Sequence, residues 1–484
     1  MAAAGFKLKI KPLEIITEDE IENIHSATIN VLKETGIKVE SKWALDLLKR
    51  NGCIVDYENM ISKFPEELIE ECIKTAPKVF TFKAREEKND VVLGGDTVYF
   101  HSAPGMNTVD LDTLEPRPPT KEEHINYIKV LDYLPNLHKL SAYPYWGYEG
   151  VSPAMAIPES CAIKILYSTK TQEVAYNLDS EVFTLEMARV AGIEYMSGLH
   201  TTSPLGIDKS SLINTRRTVE AGFPVYIANG CTSGGTSPAT SAGSLVVGNA
   251  ELLSMVALVQ LMKPGTRVLV WDIVWPMNMK TGAPFFGQIQ DSLENAIFNQ
   301  IWRKKYKIPI SNGTVGYGSA KNIGFQSGYE KGIASLISAI SGANNIQFHG
   351  HIFGELSAHP VQAVLDDDIA GMVGRFIEGE IVNQETIALD LIKEVGTIPG
   401  QYLNQEHTRK WWKTEQFMGS SADYTSTYTE WKKKGKKNAL DYAKKRVKDI
   451  IASHKPPQLA EEKVEQIEKI LEEARKYYKE REML

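Results

Sequence analysis

Apolar side chains recur along this chain in two rhythms, and the switch between them divides it. Over the first ninety or so residues the spacing is helical. Ile21, Ile24, Thr28 and Val31 fall three or four apart, and the run stops before Gly36. Thr17-Glu18-Asp19-Glu20 opens it as a capping box, the threonine hydroxyl and the glutamate carboxylate satisfying amides that a first turn leaves free. The pattern predicts a second helix over 42–49, closed by Asn51-Gly52, and a third that follows Pro65 and ends at Pro77. Residues 1–96 therefore read as a mainly helical cap region.

From about residue 97 short β-rich runs alternate with longer helical ones. Strands are expected at 98–101, 139–145, 173–177, 195–200, 225–230, 267–272, 309–314 and 345–351. Helical stretches lie between them, at 121–134, 211–221, 242–262 and 328–341, and Thr120-Lys121-Glu122-Glu123 is a second capping box. Alternation of this kind implies a parallel sheet, and eight strands is the number that closes it. The fold class is thus α/β, a TIM (β/α)8 barrel over 97–365, with a C-terminal helical region over 366–484. In that last region, 432–448 is lysine-rich and reads as a solvated helix face. Val464, Ile467, Leu471, Ala474 and Tyr478 form a seam that packs against either the barrel wall or another subunit.

Composition narrows the function classes. The chain has 484 residues, a net charge of -7 and a pI near 5.9, so no positive field invites nucleic acid. A mean hydropathy of -0.24 and the acidic balance fit a cytoplasmic protein. No apolar run approaches the length that spans a bilayer, and the opening Met1-Ala2-Ala3-Ala4-Gly5 is too short for a leader. Cys53, Cys72, Cys161 and Cys231 are scattered, with neither a disulfide framework nor a zinc motif.

Barrel enzymes carry their chemistry at the carboxyl ends of the strands, and here those ends are aromatic. They supply Tyr143 and Trp146, Trp271 and Trp275, Tyr317, and Phe353. Ring faces suit a permanent cation, which has no N–H to donate, at about 0.5–2 kcal/mol per ring. For any single ring, barrel packing is the alternative. His349 and His351 lie two apart on one strand and should point the same way, more suited to a substrate carboxylate than to a metal without a third ligand. His200 reads as structural. Gly234, Gly235, Thr236 and Ser237 sit in a glycine-rich loop that would let a large planar ligand approach the backbone, or would simply turn tightly.

Several spaced motifs carry a resemblance to a known family. They are Asp110-x-x-Thr113-x-x-x-Arg117-x-Pro119-Thr120, and Gly235-x-x-x-Ala239-Thr240-x-Ala242-Gly243 with Asn249-Ala250-Glu251. Further on come Ser319-Ala320-Lys321, Gln326, Tyr329-Glu330-Lys331, Glu394-Val395-Gly396 and His407-Thr408. In order and spacing the chain resembles the trimethylamine methyltransferase superfamily, in its branch without pyrrolysine that includes glycine betaine methyltransferases. The resemblance implies a TIM barrel that moves a methyl group from a methylated amine to Co(I) of a small corrinoid protein. The cobalamin-type cofactor is then presented by that partner rather than bound tightly here. Only standard residues occur in this chain, which favours a quaternary, betaine-type substrate over one engaged by pyrrolysine. Asn312 and Lys321 join His349 and His351 as candidates for the substrate carboxylate. No catalytic acid or base is expected, because the leaving group is a neutral amine. A homo-oligomer is expected. Three other readings stay open: a tertiary methylamine substrate, a quaternary-amine-binding protein without catalysis, and a barrel enzyme using Asp272 or Lys321 on a carbonyl or phosphorylated substrate.

Overall fold

The computed structural model describes residues 5–484, so residues 1–4 of the opening segment lie outside it. Eight parallel strands close on themselves in chain order. They are β1 (Thr97–Ser102), β2 (Lys139–Leu140), β3 (Thr171–Val174), β4 (Tyr195–His200), β5 (Val225–Ala228), β6 (Val268–Asp272), β7 (Ile310–Asn312) and β8 (Asn345–His349). β8 closes the ring against β1, with Ile346 opposite Phe100 and Gln347 opposite His101. Around them run α1 (Lys121–Tyr133), α2 (Ala156–Tyr167), α3 (Ser180–Ala191), α4 (Lys209–Glu220), α5 (Ser241–Met262), α6 (Ile289–Ile301), α7 (Phe325–Ser341) and α8 (Pro360–Ile377). This is the expected (β/α)8 barrel, with every anticipated strand in place.

Side-chain parity gives each strand two faces. Val98, Phe100, Ile346 and Phe348 point outward, onto Ala339 of α7 and Ala370 and Val373 of α8. Val225, Ile227, Val268, Val270 and Ile310 pack outward in the same way under α5 and α6. Each such buried side chain contributes about 1.5–3 kcal/mol. The opposite parity faces the axis and is largely polar: His101, Lys139, Glu173, Ser311, Asn345 and Gln347, all buried.

Helices Glu18–Asn30, Lys42–Arg50 and Glu66–Thr75 form where the spacing predicts them, and both bonds of the Thr17/Glu20 capping box are made. They lie on the flank of the barrel, over α5. Short strands accompany these helices. Ile37–Val39, Ile54–Asp56 and Ile61–Lys63 join Gly206–Ile207 in a four-stranded sheet, and Phe80–Phe82 pairs with Val91–Leu93 in a hairpin. Strands of three residues are too short to display alternation. The hairpin's Phe80, Phe82, Val91 and Leu93 pack against Tyr99, Met196 and Leu269, filling the N-terminal end of the barrel. Glu194, just before β4, accepts from the Lys83 N–H, and Arg267, just before β6, donates to the Thr81 carbonyl.

One expectation needs correction, at α5. By length and composition it could cross a bilayer, yet 78% of its most apolar stretch is buried, between the strands and the N-terminal layer. At the other end of the chain, Ala439–Ser453 buries Ala443, Val447 and Ile450 against α1 and α8 and turns its lysines outward. Glu461–Lys479 sets Ile467, Leu471, Ala474 and Tyr478 against α2 and α3, so the seam's neighbour is the barrel wall.

Candidate active site at the barrel mouth

The inward parity of the strands builds a polar and aromatic floor. Lys139 and Gln347 are both register partners of His101. The Lys139 ammonium donates to the Glu173 carboxylate in a fully buried pair, and its nitrogen lies 5.1 Å from the Trp271 ring centroid. Trp271 stacks on Tyr226 at 4.8 Å and meets His101 at 5.2 Å. Since β1 and β6 are not neighbours in the sheet, the second contact crosses the barrel. The Tyr226 hydroxyl and His200 Nε2 are 3.2 Å apart, and Tyr176 closes on His200 at 5.9 Å.

Toward the carboxyl ends of the strands the aromatic groups meet around Tyr317. It stacks on His351 at 4.5 Å and meets Phe286 at 5.4 Å and Trp275 at 6.3 Å. Its hydroxyl donates to the half-buried Glu355, the acidic group that faces this cluster. Tyr143 and Trp146, on the loop after β2, meet edge to face at 4.4 Å. Burial and the Glu355 carboxylate both push the Tyr143 hydroxyl well above its ordinary value.

The family motifs hold these loops in place. Glu330 accepts from the Ser319 and Ala320 N–H groups and from Gln326 Nε2. Lys331 is buried and donates to Asp366 and to the Phe348 carbonyl, while Asp366 also accepts from the Gly350 N–H. Gly350 has φ +102°, and a side chain there would run into the Tyr127 hydroxyl. Glu251 accepts from Thr201, Ser203 and the Leu205 N–H, pinning the loop after β4. Thr240 caps α5 by accepting from the Gly243 N–H, and Arg117 pairs with Glu123 of the second capping box. These motif residues are scaffold around the mouth rather than contacts inside it.

Burial sets the charge state of the imidazoles. Burial depresses His200 to about 4 and holds His101 and His351 well below their ordinary value, with Lys139 adding to the effect on His101 and Lys331 to that on His351. All three rings are therefore neutral near pH 7 and offer no repulsion to a positive guest. Beside the barrel wall, burial and the nearby Glu294 carboxylate raise Asp272 to about 7, against the hydrogen bond from Asn229. Folding thus favours protonated Asp272. That contribution is fully present below the ordinary carboxyl value and is lost as pH rises toward about 7. Asp272→Asn should flatten the decline in stability across this interval, measured as the urea midpoint at about pH 4, 5.5 and 7. A variant whose midpoint falls as steeply as that of the parent chain would contradict it.

The structure brings Trp275, Tyr317 and His351 into one connected cluster, pairs Tyr143 with Trp146 on the loop after β2, and sets Trp271 apart in the floor against Tyr226 and His101. Phe353 lies on the rim with the Lys321 ammonium 4.3 Å above its ring. Other expected residues go elsewhere. His349 and His351 do not act as an equivalent pair, because the register shifts between Gln347 and His349 and Gly350 turns the backbone. His349 is instead buried against Phe100 and Phe348, its Nε2 3.5 Å from Asp367 of α8. Asn312 faces outward and is locked to Asn299 and Ser338 of α6 and α7. Lys321 is exposed and donates to the Ser319 carbonyl. Neither Asn312 nor Lys321 reaches the floor. Asp272 also has outward parity, which removes it as a catalytic carboxylate for the carbonyl reading. The glycine-rich loop is a tight turn: the N–H groups of Gly235, Thr236 and Ser237 all donate to the Thr232 carbonyl, and that of Gly234 to Ser237. None of these four amides is left to meet a ligand. The four cysteines are buried and unpaired.

Sequence reasoning missed His101, Lys139, Glu173, Tyr226, Gln347, Tyr176, Phe286 and Glu355. The first five carry a readable signal. In a strand buried on both faces, the polar parity marks the axis, as in Val98-Tyr99-Phe100-His101. Tyr176, Phe286 and Glu355 lie on loops and carry no such mark.

Known proteins support a family assignment over nearly the whole chain. The family described as Trimethylamine methyltransferase (MTTB) matches residues 2–477. The glycine betaine methyltransferase of Desulfitobacterium hafniense is 28% identical over 463 residues, covering 92% of this chain and 94% of that protein. A trimethylamine methyltransferase of the same species is 27% identical over 482 residues, covering 96% and 94%. Among solved structures, the Methanosarcina barkeri monomethylamine methyltransferase aligns over 89% of this chain and 92% of its own, at 13% identity and a TM-score of 0.49. The chain belongs to the trimethylamine methyltransferase family.

Proposed function

We propose that this protein acts in the cytoplasm to transfer a methyl group from a betaine-type quaternary amine to the Co(I) centre of a corrinoid carried by a partner protein. The observation that carries the reading is the mouth itself, where aromatic faces converge around the neutral His351 imidazole and the Glu355 carboxylate. A quaternary nitrogen is held there by ring faces and by charge, without hydrogen bonds. The D. hafniense relative named for glycine betaine supports the same choice.

The reaction needs little from acid or base. Co(I) supplies an electron pair to the methyl carbon, the N–CH3 bond breaks, and its pair stays on nitrogen as a neutral tertiary amine. No proton moves. The work of this chain is to hold the cation with one N–CH3 bond pointing out of the mouth and to exclude water. Orientation of this sort supplies up to about 7–11 kcal/mol of a barrier.

The test is to mix the protein with a reduced corrinoid protein and a panel of methylated amines, following conversion of Co(I) to methyl-Co(III) by absorbance. Turnover is expected with a quaternary amine and not with trimethylamine. Turnover with trimethylamine alone supports the tertiary-amine reading, and binding without turnover supports a sensor. Demethylation in the absence of corrinoid contradicts the mechanism.

A further inference from the structure

Three buried donors in the barrel floor have nothing to donate to. Neither ring nitrogen of His101 has a hydrogen-bond partner among the described residues, and nor do Trp271 Nε1 and Gln347 Nε2. The His101 ring lies near the Ser102 backbone and the Gln347 amide near the Tyr317 hydroxyl, in both cases without the geometry of a hydrogen bond. His101 is 0%, Gln347 2% and Trp271 6% exposed. Leaving a buried donor unmade costs about 1–3 kcal/mol. Three of them gathered at one level, where His101 pairs in register with Gln347 and touches Trp271 across the axis, call for an acceptor-rich guest.

We propose that this floor is a carboxylate subsite, in which His101, Trp271 Nε1 and Gln347 Nε2 donate to the oxygens of the substrate's acidic end. The inference rests on the betaine-type reading and adds which residues hold the acidic end of the substrate. Lys139 places a positive charge at the same level, 5.1 Å from the Trp271 ring, and is itself partnered by Glu173, so the unliganded floor is close to electrically balanced. Neutral donors then do the recognising, which suits a guest that must also leave. Orientation follows from position. An anion held at the floor leaves the trimethylated end among Tyr143, Trp275 and Tyr317 and beside Glu355, with its methyl groups toward the open end of the barrel. Bound the other way round, the carboxylate would face Glu355 and the methyl groups would be out of reach of any external acceptor.

Isothermal titration of the full-length protein with glycine betaine and with choline tests this. Choline keeps the trimethylammonium group and replaces the carboxylate with a hydroxymethyl. Parent protein should bind glycine betaine at least about tenfold more tightly than choline, as expected for hydrogen bonds to a charged group. His101→Leu and Gln347→Leu should each weaken glycine betaine about tenfold and move choline less than about twofold. Trp271→Phe keeps a ring and deletes only the N–H, so it serves if the leucine variants fail to fold, and it should weaken glycine betaine alone. Equal affinity for both ligands, or variants that affect both alike, overturns the subsite while leaving the quaternary-amine reading intact, and would mean that the donors bind only water. If neither ligand binds the parent protein, the amine reading falls and the subsite falls with it.

Discussion

Lys331→Met is expected to lower the unfolding free energy by about 3–5 kcal/mol, the cost of stranding a buried charge when its partner is removed. Both partners are almost wholly enclosed, at 2% exposure for the lysine side chain and 0% for Asp366. Loss of the ammonium leaves the Asp366 carboxylate with only the Gly350 N–H and Gln362 Nε2 as donors. The damage should not stop at stability, because the same carboxylate fixes the turn that carries His351 into the mouth. Chemical denaturation of three proteins gives the answer: parent, Lys331→Met, and Lys331→Met combined with Asp366→Asn. The double variant removes the stranded charge and should recover more than half of the loss. If the single variant loses less than about 1 kcal/mol, the pair is not the clamp described above.

The second large effect concerns the cage. Tyr317→Leu should lower kcat/KM for a quaternary amine roughly 2–30-fold, the span that corresponds to about 0.5–2 kcal/mol for one cation–π face. The upper end is the expectation, because Phe286, Trp275 and His351 all lean on this ring and lose their support with it. Tyr317→Phe keeps the ring and loses only the hydroxyl that donates to Glu355. It should cost no more than a few-fold. Equal losses in the two variants would mean that the hydroxyl and its carboxylate matter rather than the ring face, and the cage would have to be abandoned.

How far the sequence could lead depended on the length of the pattern it offered. Eight strand-and-helix repeats are long-range rhythm, and all eight strands stand where alternation places them. So does the seam around Ile467 and Tyr478, whose neighbour only the fold could identify. Three-residue strands such as Ile37–Val39 have no room for rhythm, which is why the N-terminal layer reads as more helical than it is. Within the site, position along a strand was legible but direction was not. Asn312 and His349 sit at strand ends as expected, yet parity turns one toward α6 and α7, and a register shift sets the other against Asp367. Asking which parity of a doubly buried strand is polar would have recovered His101, Lys139 and Glu173. No local signal reports that Glu355 and Phe286, from distant loops, converge on Tyr317.

The Phe80–Leu93 hairpin stoppers the barrel from below. Under the proposed transfer, everything that reaches the reaction centre would therefore use one doorway, the amine on its way in, the methyl acceptor as it docks, and the spent amine on its way out. Such traffic would enforce a sequence: the small molecule boards first, the carrier then seals it in, and the demethylated product departs only once the carrier has withdrawn. Too much carrier, arriving early, would shut the doorway on an empty chamber.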